Sequence, residues 1–364
     1  MKNFKYSFLF WLVLPATILV LLVVIYFYFP HNKARSSAKE QFSINQQVPQ
    51  FEPRFLSWSQ ATSSANWEAR DSAVSFVFQN KIWMIGGLDG NGHIDANGVE
   101  RYWEAPHFND IWSTIDGVHW TLETAHADFP PRRSMSVIEF KGKLWMIGGY
   151  SPAGGLQSDV WQSDDGVHWH EVAAKATFIP REGQTVEVFK DRLWMIGGVN
   201  YSKRKALNDV WYSDNGTDWF LATSSAPWSP RWDHDTEIFD GKMYLASGMD
   251  LTLQTFNDVW ITDDGFTWTL VQAHAPWEGR QGGQLISFKG LLWIIGRLND
   301  GADKNGPNDV WYSSDGTTWQ KTETDPPWTG REDYSGLVYN GRIYVFGGMD
   351  ANWQWRNDVW FSSN

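Results

Sequence analysis

REGQTVEVFKDRLWMIGGVNYSKRKALNDVWYSDNGTDW, residues 181 to 219, decides the fold. Residues 185–189 alternate apolar and polar, as a half-buried strand does, and turn at Lys190-Asp191. An apolar run, 193–196, ends in Gly197-Gly198. A polar loop leads to Asn208-Asp209-Val210-Trp211, then to an Asn215-Gly216 turn and Trp219. Four short strands separated by turn residues account for all of it.

The rest of the chain repeats this unit, and periodicity of this length is the first thing to read in a sequence. An arginine opens each unit at Arg70, Arg132, Arg181, Arg231, Arg280 and Arg331. The glycine pair, or its replacement, stands at Gly86-Gly87, Gly148-Gly149, Gly197-Gly198, Ser247-Gly248, Gly296-Arg297 and Gly347-Gly348. Both series advance by 62, 49, 50, 49 and 51 residues. Asp-(Val/Ile)-Trp recurs at Trp112, Trp161, Trp211, Trp260, Trp311 and Trp360, and a further Trp follows the first five at a distance of eight. The sixth has no successor. Its missing strand is found at the other end, where residues 58–70 match residues 219–231 almost position for position. An exchange of that kind is what a closed ring requires.

These residues, the glycine pair after an apolar strand, the Asp-x-Trp strand and the following Trp, resemble kelch repeats. The resemblance covers residues 55–364 and implies an all-β, six-bladed β-propeller with four-stranded blades, closed by the N-terminal strand. It does not carry a function with it.

Net charge is −12, which argues against a nucleic-acid partner. Cysteine is absent, so disulfide and thiol chemistry are excluded. Residues 8–29 contain no charge across 22 positions, long enough to span a bilayer and longer than the apolar core of a cleaved signal peptide. The expected organisation is a short tail (1–7), one transmembrane helix as signal-anchor (8–29), a flexible polar linker (30–54) and the propeller (55–364). Lysines and arginines flank the span almost evenly. The N-terminus is placed in the cytoplasm and the propeller outside it, the usual orientation of short N-terminal anchors.

With 25 tryptophans the chain invites a sugar-stacking reading, but most of them recur at fixed repeat positions and are expected to fill the gaps between blades. The Asp of Asp-Val-Trp and the six arginines recur too, and are expected to serve the scaffold. Aromatics three residues before each arginine (Trp67, Phe129, Phe178, Trp228, Trp277, Trp328) are expected to pack under the loops.

Specialised chemistry is expected where the repeat varies. The loops before strand a and after strand b share one face, and a rigid propeller presents such loops to ligands. The residues after each arginine ring the mouth of the central channel there. They supply the candidates Asp71, Arg133, Glu182, Trp232, Asp233, His234, Glu332, Asp333 and Tyr334. In Trp232-Asp233-His234-Asp235 the two carboxylates share one strand face and His234 points to the other. Arg297, in place of a glycine, and Trp103, in the long first b–c loop (88–108), complete the set. Tyr201-Ser-Lys-Arg-Lys205 makes the third loop basic, and Trp353 and Trp355 decorate the sixth.

Two functions follow. One is a membrane-tethered binding scaffold holding a glycan or a protein loop. The other is a carbohydrate-active enzyme. Six-bladed kelch rings resemble the sialic-acid mutarotases, and the hairpins Ser-x-Asp-Gly-x-x-Trp resemble the Asp-boxes of sialidases, one residue short. Kelch rings also resemble galactose oxidase, which implies a copper centre with a tyrosine–cysteine crosslink; without cysteine that cofactor cannot form. No metal-ligand spacing and no phosphate loop is present, so neither cofactor nor metal is expected.

Overall fold

The computed structural model describes residues 51–93, 104–296 and 308–363. The expected transmembrane helix (8–29) lies outside them; among the described residues no helix is long and apolar enough to cross a membrane. Residues 51–364 form one compact unit.

Six four-stranded antiparallel sheets make six blades. In blade 3 strand a is Thr185–Phe189, b is Arg192–Ile196, c is Val210–Ser213 and d is Phe220–Thr223. Strand b is buried along nearly its whole length, as its continuous apolar run requires. Blade 6 takes strands a to c from Ser335–Tyr339, Arg342–Phe346 and Val359–Ser362. Its d strand is Trp58–Thr62, paired antiparallel in the register Trp58↔Ser362, Ser59↔Phe361, Gln60↔Trp360. The ring therefore closes as the sequence predicts. The compact unit begins slightly earlier than expected: Phe51, assigned above to the linker, packs edge-on to Phe288 of blade 5 at 6.0 Å.

Each inter-blade seam is an apolar cluster drawn from two neighbours. Phe76, Phe78, Trp83 and Ile85 of blade 1, for example, pack on Met135, Val137, Leu144 and Met146 of blade 2. The aromatics that precede each arginine are buried in these seams. Each meets the d-strand tryptophan of the next blade edge to face, from Trp67–Trp120 at 5.9 Å around to Trp328–Trp58 at 4.8 Å. Trp58 thus occupies the same niche in blade 6 as Trp219 does in blade 3, which explains why the two segments match.

The recurring arginines and aspartates are one another's partners. Arg181 holds Asp209 through two bonds of 2.7 and 2.8 Å and donates a third to the Gly197 carbonyl at 2.8 Å. The Trp211 indole donates to the same carboxylate. The other five blades repeat the pairing as Arg70–Asp110, Arg132–Asp159, Arg231–Asp258, Arg280–Asp309 and Arg331–Asp358. All six arginines are buried. A planar guanidinium matches a carboxylate in two parallel bonds, which a lysine could not do.

Candidate functional site

Six residues in the left-handed region, one per blade, line the mouth of the channel. They are Ser72, Ser134, Gly183, Asp233, Gly282 and Asp333, with φ between 46° and 64°. Serine, aspartate and glycine tolerate that conformation where β-branched residues do not. Their backbones hydrogen-bond from blade to blade. The N–H of Ser134 donates to Ser72, Asp233 to Gly183, Gly282 to Asp233, Asp333 to Gly282 and Ser72 to Asp333, at 2.8 to 3.0 Å. This collar fixes where the side chains of Asp233 and Asp333 can lie. Each rests beside a residue without a side chain: a Cβ on Gly183 would stand 2.6 Å from Asp233 Oδ1, and one on Gly282 2.6 Å from Asp333 Oδ1.

Above the collar lies a cavity of about 360 Å³. Its floor and sides carry Ser72, Arg133, Ser134, Glu182, Asp233, Gln281, Glu332 and Asp333; its wall is Tyr201, Trp232, Met249, Leu253, Met349 and Trp353. Arg133 pairs with Glu182 at 3.2 Å, and both are buried. Gln281 donates its amide to Glu332, and Ser72 its hydroxyl to Asp333 at 3.2 Å. Tyr201 meets Trp232 edge to face at 5.6 Å. A second cavity of about 330 Å³ continues down the channel between the six a strands.

The electrostatics follow from enclosure. Burial pushes the Asp233 carboxyl well above the ordinary carboxylate range; Asp333, Glu182 and Asp71 act in the same direction, and Arg133 against it. Burial likewise holds the Tyr201 hydroxyl far above its ordinary value, with Glu182 and Asp233 adding to it. Deeper in the channel burial raises Asp235 to about 7. Glu187 and Glu237, on neighbouring a strands, are both raised, again by burial first; the Thr236 hydroxyl donates to Glu187 at 2.8 Å.

Of the residues expected at the mouth, the structure brings together Arg133, Glu182, Trp232, Asp233, Glu332 and Asp333. Three do not line it. Asp71 is buried in a backbone bridge to Leu88. His234 is buried in the seam, its Nε2 3.1 Å from the Thr185 hydroxyl and its ring 6.3 Å from Trp228. Burial lowers its pKa to about 3, as expected for a neutral, packed imidazole. Tyr334 is buried and donates to the Ile295 carbonyl at 2.5 Å. Arg297 and Trp103 lie outside the described residues.

Of the apolar wall, Tyr201, Trp232 and Trp353 were visible in the sequence, and Met249, Leu253 and Met349 were not. Met249 and Met349 directly follow the glycine pair and bridge back to Trp232 and Glu332. Among the described residues that position pairs with the residue following the arginine in blades 1, 2, 3, 4 and 6, a signal the repeat did contain. Leu253, like Trp353, is a left-handed loop residue (φ 64° and 56°) whose place depends on the loop's own turn.

The hairpins that resemble Asp-boxes are turns of the scaffold. In the second, Asp165 accepts from the N–H groups of Val167 and His168, the Ser163 hydroxyl accepts from Gly166 N–H, and the Trp169 indole donates to the Gly166 carbonyl. Among the described residues no group of three or more His, Cys, Asp or Glu is placed to hold a metal ion. The copper centre of galactose oxidase does not fit this chain, which has no cysteine to crosslink.

The sequence matches the family model described as the KLHDC2/KLHL20/DRC7 Kelch-repeats domain, over residues 97–296 and 168–348. No curated protein sequence matches. A solved structure described as "Structure of YjhT" superposes with a TM-score of 0.62 at 14% identity, covering 82% of this chain and 96% of that one. At that identity the likeness concerns the fold alone. The architecture is widespread, with 562 solved chains matching it, so the ligand must be argued from the mouth itself.

Proposed function

The chain belongs to the kelch-repeat family, and from that premise we propose that it is a binding module whose ligand, a glycan or a protein loop, is held in the mouth between the d–a and b–c loops. The observation that supports this is the cavity of about 360 Å³, which sets carboxylates against an aromatic wall. Its size falls within the range of small-ligand sites, and one apolar wall with a few convergent polar groups is the usual make-up of such sites. Residues 8–29 tether the module to a membrane in this reading, with the propeller on the extracytoplasmic side; membrane fractionation of the full chain, with and without residues 1–29, tests the tether.

The ligand is to be sought by screening the full-length chain against a glycan array and a displayed peptide library. Trp232→Ala and the double variant Asp233→Asn/Asp333→Asn are expected to abolish any specific hit, while Asp165→Ala, on a hairpin outside the mouth, is expected to keep it. A hit that survives both mouth variants would place the site elsewhere.

The enzymatic reading has one specific support. Burial raises the Asp233 carboxyl well above the ordinary carboxylate range beside other carboxylates, and opening a sugar ring requires an acid near a base. Exchange of sugar anomers followed by NMR, with Asp233→Asn as control, tests it. A sialidase-like mechanism fits poorly: the six repeat arginines are engaged by aspartates in the scaffold, and Tyr334 is buried on a carbonyl.

A further inference from the structure

The third b–c loop carries a basic tip at the rim of the mouth. Val199–Asn200 pairs antiparallel with Lys205–Ala206, and a 3-10 turn, Tyr201–Lys203, leads from one to the other through Arg204. Its shape is fixed by its own hydrogen bonds. The Asn200 side chain accepts from the Lys203 N–H at 2.9 Å and donates to the Pro180 carbonyl at 2.6 Å. Arg204 takes a left-handed φ of 49° and returns its N–H to the Tyr201 carbonyl at 2.9 Å. An asparagine that bonds the backbone in this way stands in for a backbone turn. At one end of the turn Tyr201 lines the mouth, edge to face with Trp232. At the other, Lys203, Arg204 and Lys205 are exposed.

These cations differ from those of the opposite face. The chain has a net charge of −12, and there Lys81 pairs with Glu123, Lys143 with Asp164 and Lys242 with Asp263. Among the described residues no carboxylate pairs with Lys203, Arg204 or Lys205. Three like charges held on one short turn repel one another, and nothing in the fold offsets that repulsion. An anion arriving at the tip would.

We propose that the ligand is an acidic polysaccharide, a chain of sugars bearing carboxylates or sulfates. One sugar sits in the mouth, its C–H face on Trp232 and Tyr201 and a hydroxyl on the Asp233 carboxyl. The acid groups of the adjoining units pair with Lys203, Arg204 and Lys205, clear of the carboxyls in the floor. This rests on the reading of the mouth as the binding site. Such a chain suits both halves of the surface: ring carbons and hydroxyls for a cavity of aromatic rings and carboxyls, anions for the basic tip. An acidic peptide suits the tip alone, since its side chains bring Asp233 no hydroxyl. Leu251 and Leu253, exposed on the next b–c loop, are the feature that favours a peptide, which makes a peptide the competing outcome.

The test is calorimetric titration of the full-length protein with three matched pairs of probes. Tetragalacturonate is set against its methyl ester, a sulfated galactan tetrasaccharide against its desulfated form, and hexaglutamate against hexaglutamine. At least one acid sugar is expected to bind about tenfold more tightly than its neutral twin at low salt, and to lose that advantage at high salt, because exposed ion pairs are singly weak and screened. The sugar that shows the preference tells carboxylate from sulfate. Lys203→Gln/Arg204→Gln/Lys205→Gln is expected to erase the preference with Tm unchanged, since all three residues are exposed. Lys203→Arg/Lys205→Arg is expected to keep it. Trp232→Ala is expected to remove acid and neutral sugars alike. A preference that survives the triple variant overturns the proposal, as does the failure of both acid sugars to bind. Hexaglutamate binding in their place overturns it in favour of an acidic peptide. Neutral twins that bind as tightly as the acids and are lost in Trp232→Ala leave the mouth as the site and refute the role of the basic tip. Acid sugars that bind Trp232→Ala undiminished refute the reading of the mouth itself.

Discussion

The clasps and the collar are both six-fold, and they repeat different things. Each clasp repeats its chemistry: the same arginine, aspartate and tryptophan in every blade, with the arginine buried and paired to the aspartate. The collar repeats only its backbone. Its six residues share a left-handed conformation, while their side chains are two serines, two glycines and two aspartates. A position whose side chain the fold needs is copied without change. A position where the fold needs only the backbone is open to variation, and in this protein that position faces the cavity.

Breaking a clasp should therefore be a stability experiment, and altering the collar a binding experiment. The largest effect is expected from Arg181→Ala, which leaves the Asp209 carboxylate without its partner in a buried site. A loss of about 3–5 kcal/mol in chemical denaturation is expected, with the mouth unchanged in whatever still folds. Gly282→Ala sharpens the contrast. The added Cβ meets Asp333 Oδ1 at 2.6 Å and holds a left-handed φ of 58°. It should cost about 1–2 kcal/mol, yet weaken ligand binding more than Arg181→Ala does in the folded fraction.

A smaller effect concerns the channel carboxyls. A carboxyl raised in the folded state binds its proton more tightly there than in the unfolded chain. Stability then declines as pH rises from the ordinary carboxylate range, about 4, through the raised value, about 7 for Asp235. Tm should accordingly be higher at pH 5 than at pH 8, and Glu187→Gln should narrow the difference. The smallest effect is expected from Asp165→Ala on its exposed hairpin. About 1 kcal/mol or less is lost with the two turn hydrogen bonds, and binding stays the same. A large binding defect there would remove the distinction between scaffold turn and site.

How much was legible in the sequence follows the same division. Repetition exposed the clasps, the seam aromatics and the closing strand at Trp58, because each is needed six times. The candidate site was legible as a location, the residues after each arginine, but only in part as a set of side chains. Along those residues the third position, His234 or Tyr334, turns into the seam, whereas alternation said only that His234 points away from the two carboxylates. Asp71 was lost to a backbone bridge that only the folded b–c loop creates. The wall of Met249, Leu253, Met349 and Trp353 comes from loops whose turns are particular to each blade, so no repeat position announced it beyond the methionine after the glycine pair.

The pairing of Trp58 with Ser362 also bears on how the protein is made. The strand Trp58–Thr62 must wait for Val359–Ser362, which is made about three hundred residues later. Closing so long a loop costs little more than closing a short one, since the entropy grows only with the logarithm of length. Until Val359–Ser362 leaves the ribosome, however, Trp58–Thr62 has no strand to pair with and the ring stays open. On the proposed reading of the mouth, binding then requires both partners of this strand pair, and removing Val359–Ser362 should abolish it.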